Sequence, residues 1–530
     1  MCASPDLAAF PPGVMLRPPP LALRTALLLA LSPLGAPSLA DEFWVDAVHG
    51  DDANGGTGPA DAWRTITHAL DRLGPAPGFA VDTVCVLPGV YGDDTEEFPL
   101  VLRDRVRLLG VEGSAGTVLE GGLVVGFGSD PTRPSTGAEG LTIRGAGVGI
   151  AMFTPGPERP VREATFRGIE LEDCGEGIHV TAHGKPSRGS SFVLEDSTIA
   201  RCSGPGTVKA GLKTELTVTL TGVRVDAPGP LRGEAANQAV LDLLVTRSTF
   251  RAPSYLGAVR TVETGDGTAR AVVRDSEIHG ASSGGDSRGL FLDGGEAVVE
   301  RCTFWGLGTA VNLLEPETLV VRDSIFHEVA HDLGLHPGGQ VTVENCILDD
   351  PAFVGQNGNV AADPLFVAPG AGDFRLRFGS PAVDRLPGSD EPDRSGRPRN
   401  TDGDLDTLPG ADLGAHELAT LDGPRAAGLG DAVVLRVHGE TDRAAYVQLS
   451  LCPPLATPDT TPFGLRWLPA GTYGTVAAVK TTGDLPASVA LTAPTDPSLI
   501  GETVGYQALV RTSGPAGAAW SDLVPLTLEP

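Results

Sequence analysis

The sequence predicts an all-β protein: a right-handed parallel β-helix with an N-terminal capping helix, followed by a small C-terminal β-sandwich. Three observations lead there. A phrase recurs through the middle of the chain, as VVRDSEI at Val272–Ile278, VVERCTF at Val298–Phe304, VVRDSIF at Val320–Phe326 and VTVENCIL at Val341–Leu348. Looser copies are FVLEDSTI at Phe192–Ile199 and LLVTRSTF at Leu243–Phe250. The small residue of the phrase falls at Cys174, Ser197, Gly222, Ser248, Ser276, Cys302, Ser324 and Cys346, in steps of 22 to 28 residues. A fixed period of this length marks a solenoid. Each unit is short, β-branched and punctuated by turn residues, so the solenoid is built of strands. The third observation is composition: 70 Gly, 45 Pro and only 5% aromatic residues suit a turn-rich β protein.

Taken in order, residues 1–40 read as a signal peptide. Arg24 precedes the apolar run TALLLALSPL, and Ser38-Leu39-Ala40 offers small residues at a cleavage site near Ala40. The run is too short for a permanent anchor, and no later stretch is apolar enough to span a bilayer. The expected location is therefore extracellular, at the cell surface or in a periplasm. After a first strand and the polar loop HGDDANGGTGPAD, Trp63, Ile66, Leu70 and Leu73 recur at helical spacing with Gly74 as a stop. This predicts a short helix closing the open end of the solenoid. Irregular coils over 81–145 and regular ones over 146–350 complete a β-helix of residues 41–350. A Gly/Pro/Asp-rich closing segment follows over 351–420. Short strand-like runs between Gly and Pro turns then predict the sandwich over 421–530.

The net charge of −28 and only four lysines exclude nucleic acid as a partner, because phosphate binding needs clustered cations. Six cysteines follow the leader. Cys302 and Cys346 share a column two coils apart, too far for a disulfide at about 4.8 Å per coil, so the cysteines read as small buried residues. The chain is expected to be a monomer.

Two stretches carry a family resemblance. FWVDAVHGDDANGGTGPADAWRTITHAL, followed by LPGVYG and EEFPLVL, resembles a bacterial secreted family termed domain of unknown function 1565, whose members look like β-helices of the pectin-lyase type. ADPLFVAPGAGDFRLRFGSPAVD, then DRSGRPR and ADLGAHE, resembles the closing segment of bacterial surface β-helix proteins called choice-of-anchor Q. The pattern usually continues past SPAVD with a Gly; here Arg385-Leu386 intervenes. The resemblance implies fold and secretion, and no reaction.

The loudest catalytic motif is HEVAHDLGLH at His327–His336. On a helix, HExxH would place two His around zinc with Glu as base. The repeat register instead makes it one more coil, with His327 opposite Trp305 and His331 opposite Thr309, and so excludes a metalloprotease. The same register gives an outward column of Arg251, His279, Trp305, His327 and Asp349. Arg288, Thr309 and His331 form a second column, and Asp293, Leu314 and His336 a third. Trp305 flanked by Arg251, His279, His327, His331 and His336 is a candidate sugar platform: the ring packs on C–H surface while polar groups orient hydroxyls. Asp286, Arg288 and Asp293 are candidate catalytic groups for a polysaccharide lyase or glycosidase. Asp402, Asp404 and Asp406 alternate in an oxygen-rich loop suited to calcium. The sequence thus points to a polysaccharide or cell-surface glycan as partner; the alternatives are a glycan-cleaving enzyme and a purely structural or adhesive module.

Overall fold

The computed structural model describes residues 41–529 apart from 74–80, 127–134, 155–162, 184–188, 252–255, 281–284, 316–317, 484–485 and 515. The leader, Gly74 and Lys185 lie outside the described residues.

The chain winds into a parallel β-solenoid with three faces. Sheet A has twelve strands, from Glu42–Val45 to Gln340–Glu344; sheet B has ten, from Gly89–Tyr91 to Ile325–His327; sheet C has ten, from Leu100–Leu102 to His331–Gly334, all counted among the described residues. Every ladder between these strands is parallel, each strand pairing with its counterpart one coil on. In sheet B, from Thr142–Arg144 onward, the middle residue of each three-residue strand points inward, giving a buried file of Ile143, Leu171, Ile199, Val225, Phe250, Ile278, Phe304 and Phe326 that Tyr91 and Leu119 begin. Phe304 and Phe326 stack at 4.9 Å between centroids. The flanking residues of the same strands point outward, as period-two alternation requires.

The recurring phrase has a physical cause. The A-to-B corner turns on a single left-handed residue in each coil: Gly140, Gly168, Asp196, Gly222, Arg247, Asp275, Arg301, Asp323 and Asn345 all have φ between 46° and 67°. Gly, Asp and Asn tolerate that region best. The next residue is the serine of the phrase. Its hydroxyl donates to the carbonyl two residues back, as Ser276 does to Arg274 at 2.6 Å. It also accepts the backbone N–H of the coil before, as Ser276 does from Ser248 at 3.0 Å and Ser324 from Cys302 at 3.1 Å. A corner N–H that no ladder reaches is thereby satisfied. Two assignments of the sequence register are corrected. Gly222 pairs with the Arg247 position and is the left-handed residue itself, so Val223 fills the serine column. Cys174 stands opposite Cys202 at the B-to-C corner, in another column. The cysteines at 85, 174, 202, 302, 346 and 452 are unbridged, and all but Cys452 are buried.

The helix forms over Ile66–Arg72, with Thr65 as N-cap accepting from His68 N. Trp63 precedes it, bridging Val45 at the edge of sheet A and stacking on Phe43 at 5.4 Å. Buried Glu96 accepts from the N–H groups of Ile66 and Thr67 at the positive end of the helix. Asp52 in the acidic loop accepts from Arg64 N and Thr65 N, so that carboxylate holds the turn before the helix.

At the other end the chain folds back along sheet B. Ile325 and Ile347 join Phe366, Phe374, Leu376, Val383, Leu413 and Leu418 in a second apolar cluster. Beyond it, a three-stranded and a five-stranded sheet, within 421–529, share a core of Val433, Leu435, Val447, Tyr506, Val510 and Leu526. Among the described residues no helix is long and apolar enough to cross a membrane.

Candidate functional site

The Trp305 column is where the sequence places it. Arg251 pairs with His279, His279 with Trp305, and Trp305 with His327. It is not open, however. Phe374 of the closing segment packs on Trp305 at 5.8 Å and on His279 at 5.0 Å, while Phe366 packs on His327 at 6.0 Å. The indole Nε1 is shielded and has no hydrogen-bond partner. The free aromatic platform is thus corrected: these rings form an interface within the chain. Burial pushes the His279 imidazole down to about 4, against the pull of Glu277.

The motifs DRSGRPR and ADLGAHE make that interface. Arg399 is fully buried and bonds Asp275, Glu417 and the carbonyls of Asp412 and Gly414. His416 bonds Glu277, Arg394 bonds Thr249 Oγ1 at 2.7 Å, and Ala415 N donates to Thr303 Oγ1 at 3.0 Å. Gly414 is left-handed, and a Cβ there would stand 2.8 Å from both Ile325 and Thr303. Thr249, Glu277, Thr303 and Ile325 are one outward column of sheet B, and the closing segment reads it coil by coil.

HEVAHDLGLH is strand, turn and strand, over Ile325–His327 and His331–Gly334. His331 pairs with Thr309 as the register predicts. His331 and His336 are exposed, and so is Leu335, at 40%, since the strand ends at Gly334. Asp286 is exposed in a turn. Asp293 is held by Arg260 at 2.5 Å, and the Arg288 guanidinium lies 4.7 Å over the Phe291 ring. Asp293 and Arg288 are therefore engaged with neighbours of their own face.

Of the calcium candidates, Asp402 and Asp404 converge with Asp384, their ligand atoms lying within 4.8 Å of one another. Asp406 lies outside this trio and instead donates its N–H to Asp402 and Asp404. Asp384 is eighteen residues before Asp402, so spacing within the loop did not reveal it.

The outward face of sheet C mixes aromatic and charged groups, with Phe291 itself buried beneath its arginines. One column runs Ala151, His179, Thr207, Arg232, Arg260, Phe291, Asn312. Beside it run Phe153, Thr181, Lys209, Glu234, Val262 and Asp293. Phe153 is exposed and packs on His179 at 5.5 Å. Arg260 and Arg288 lie over Phe291 at 4.9 and 4.7 Å. Lys209 and Arg232 both reach Glu234, and the Nε atoms of Arg232 and Arg260 are shielded with no partner. The sequence register placed Arg288 in one column with Thr309 and His331, and the ladders agree; the neighbouring column through His179, Arg232, Arg260 and Phe291 escaped it, because the earlier strands of this sheet lack the repeated phrase.

Residues 48–233 match the profile of a family described as Protein of unknown function (DUF1565). The match covers roughly a third of the chain and includes the early coils with Phe153, His179, Lys209 and Arg232. The later coils, the closing segment and the C-terminal sheets lie beyond it. No curated protein matches the chain.

Proposed function

We propose that this β-solenoid is a secreted, noncatalytic surface protein that binds polysaccharide along the outward face of sheet C. The solenoid is right-handed on this reading, with the Ile66–Arg72 helix as its cap and the C-terminal sheets as a sandwich. The observation that carries the reading is the Arg260–Phe291–Arg288 stack. It sets two guanidinium groups over the buried Phe291 ring, with Arg260 in register with His179, Thr207 and Arg232 of successive coils. Side chains repeating at about 4.8 Å match a linear polymer laid along the axis better than a compact ligand. Ion pairs and hydroxyls oriented by neighbours supply hydrogen bonds to sugar hydroxyls. Calcium at Asp384, Asp402 and Asp404 holds the closing segment, away from this face.

The test is a panel of neutral and acidic polysaccharides, with binding and released product measured together. Arg260→Ala and Arg288→Ala should each weaken binding at least tenfold, with no product formed. Trp305→Ala should leave binding intact if the protein stays folded. Loss of binding in Trp305→Ala with retention in Arg260→Ala would return the site to sheet B. Product formation would make the protein a lyase or glycosidase, and absence of binding throughout would leave a structural module.

A further inference from the structure

A cleft of about 320 Å³ opens where the closing segment meets the C-terminal sheets. Its rim carries Arg375, Arg397 and Arg436; Leu376 and Leu418 line its apolar side. Such a volume lies at the small end of ligand sites, and an apolar wall with a few convergent polar groups is their usual construction.

Arg436 is the least engaged of the three guanidinium groups. Arg397 holds Asp422 at 2.7 Å. Arg375 is paired with Asp373 at 2.6 Å and stands 4.0 Å from Asp422. Arg436, half exposed, comes no nearer to Asp422 than 3.9 Å. In direct contact the three guanidinium groups share Asp373 and Asp422, with buried Asp522 a further negative neighbour of Arg397. Glu417, also on the lining, is committed to Arg399 at 2.8 Å. His438 adds a second, separate observation: its Nδ1 is shielded from solvent and has no hydrogen-bond partner. A buried polar atom without a partner is costly, so this wall of the cleft is held under strain of its own. Burial and the neighbouring arginines hold the imidazole neutral, its pKa lowered to about 4 despite Asp422.

We propose that this cleft binds a small oxyanion, a carboxylate or a phosphate, with Arg436 and Arg375 as its main donors and neutral His438 as part of its wall. Guanidinium forks suit planar carboxylates and phosphates alike. The apolar wall of Leu376 and Leu418 favours an anion carried on a compact body such as an acidic sugar. The proposal does not depend on the sheet C reading, which involves none of these residues.

The full chain would be titrated calorimetrically with sodium glucuronate, inorganic phosphate and glucose at matched ionic strength. Saturable binding of either anion, none of glucose, and a loss of at least tenfold in Arg436→Gln is the expected result. Glucuronate alone would assign a carboxylated sugar, phosphate alone a phosphate ligand, and both the shared oxyanion chemistry. Arg375→Gln serves as the second variant should Arg436→Gln fold poorly. No saturable binding of either anion, or binding undiminished in the folded variants, overturns the proposal.

Discussion

Arg399 and Asp275, 124 residues apart, meet in the interior: the guanidinium lies 3.0 Å from the carboxylate that occupies a left-handed corner of the solenoid. Asp275 also holds Arg301 at 2.8 Å, and Arg399 also holds Glu417 at 2.8 Å. The closing segment is thereby fixed to a corner of the repeat. Removing one member of a buried charge network leaves the others uncompensated, at a cost of about 3–5 kcal/mol. Arg399→Met should therefore lower the urea midpoint strongly and expose the Trp305 ring, read by its fluorescence. A variant as stable as the parent would show that the contact is incidental.

The serine ladder makes a second prediction. Ser276→Ala removes both the acceptor for Ser248 N and the donor to Arg274 O. One buried N–H is then unsatisfied, a cost of about 1–3 kcal/mol. Ser276→Cys should lose less, since the chain itself carries Cys302 at this corner, where Sγ contacts Glu300 O at 3.3 Å. Chemical denaturation of the two variants against the parent checks the order, and equal losses would count against the ladder.

These two features show why the fold was legible and the site was not. The serine repeat is local: corner, inward residue and ladder all lie within seven residues, so the register of sheets A and B could be read from spacing, and the Trp305 column with it. What covers that column comes from residues 363–418, which carry no repeat. Only the resemblance of ADPLFVAPGAGDFRLRFGSPAVD and ADLGAHE marked them as a closing segment. Nothing in their spacing indicates that Phe374 lands on Trp305, or that Asp384 joins Asp402. Gly222 and Cys174 were misplaced for a related reason, since both sit at corners where several small residues fit the phrase equally well.

His279 predicts how acid acts on the covered face. The imidazole lies under Phe374, and burial lowers its pKa to about 4 from an unfolded value near 6.5. Its neutral form contributes stability that is fully present above pH 6.5 and is lost as pH falls toward 4. Up to about 3 kcal/mol is at stake over that window. His279→Gln should flatten the corresponding part of the stability–pH curve, measured by urea unfolding between pH 4 and pH 7. An unchanged slope would mean that His279 is protonated as readily in the folded state.

Calcium provides the last prediction. Asp384, Asp402 and Asp404 present carboxylate oxygens within 4.8 Å of one another, and one oxygen of Asp384 is shielded without a hydrogen-bond partner. A Cβ at Gly410 would lie 2.8 Å from that oxygen, so only glycine leaves the approach free. Hard oxygen donors at this spacing suit calcium better than magnesium, which demands a tighter octahedron. At ~100 times its Kd, a ligand specific to the folded state stabilises by about 2.7 kcal/mol, so calcium should raise the unfolding temperature by several degrees in a chelator-treated sample. Asp384→Asn and Asp402→Asn should abolish most of that rise. Asp406→Asn should leave it nearly whole, because Asp406 lies outside the trio. A rise equal in all three variants, or none in the parent, would remove calcium from this loop.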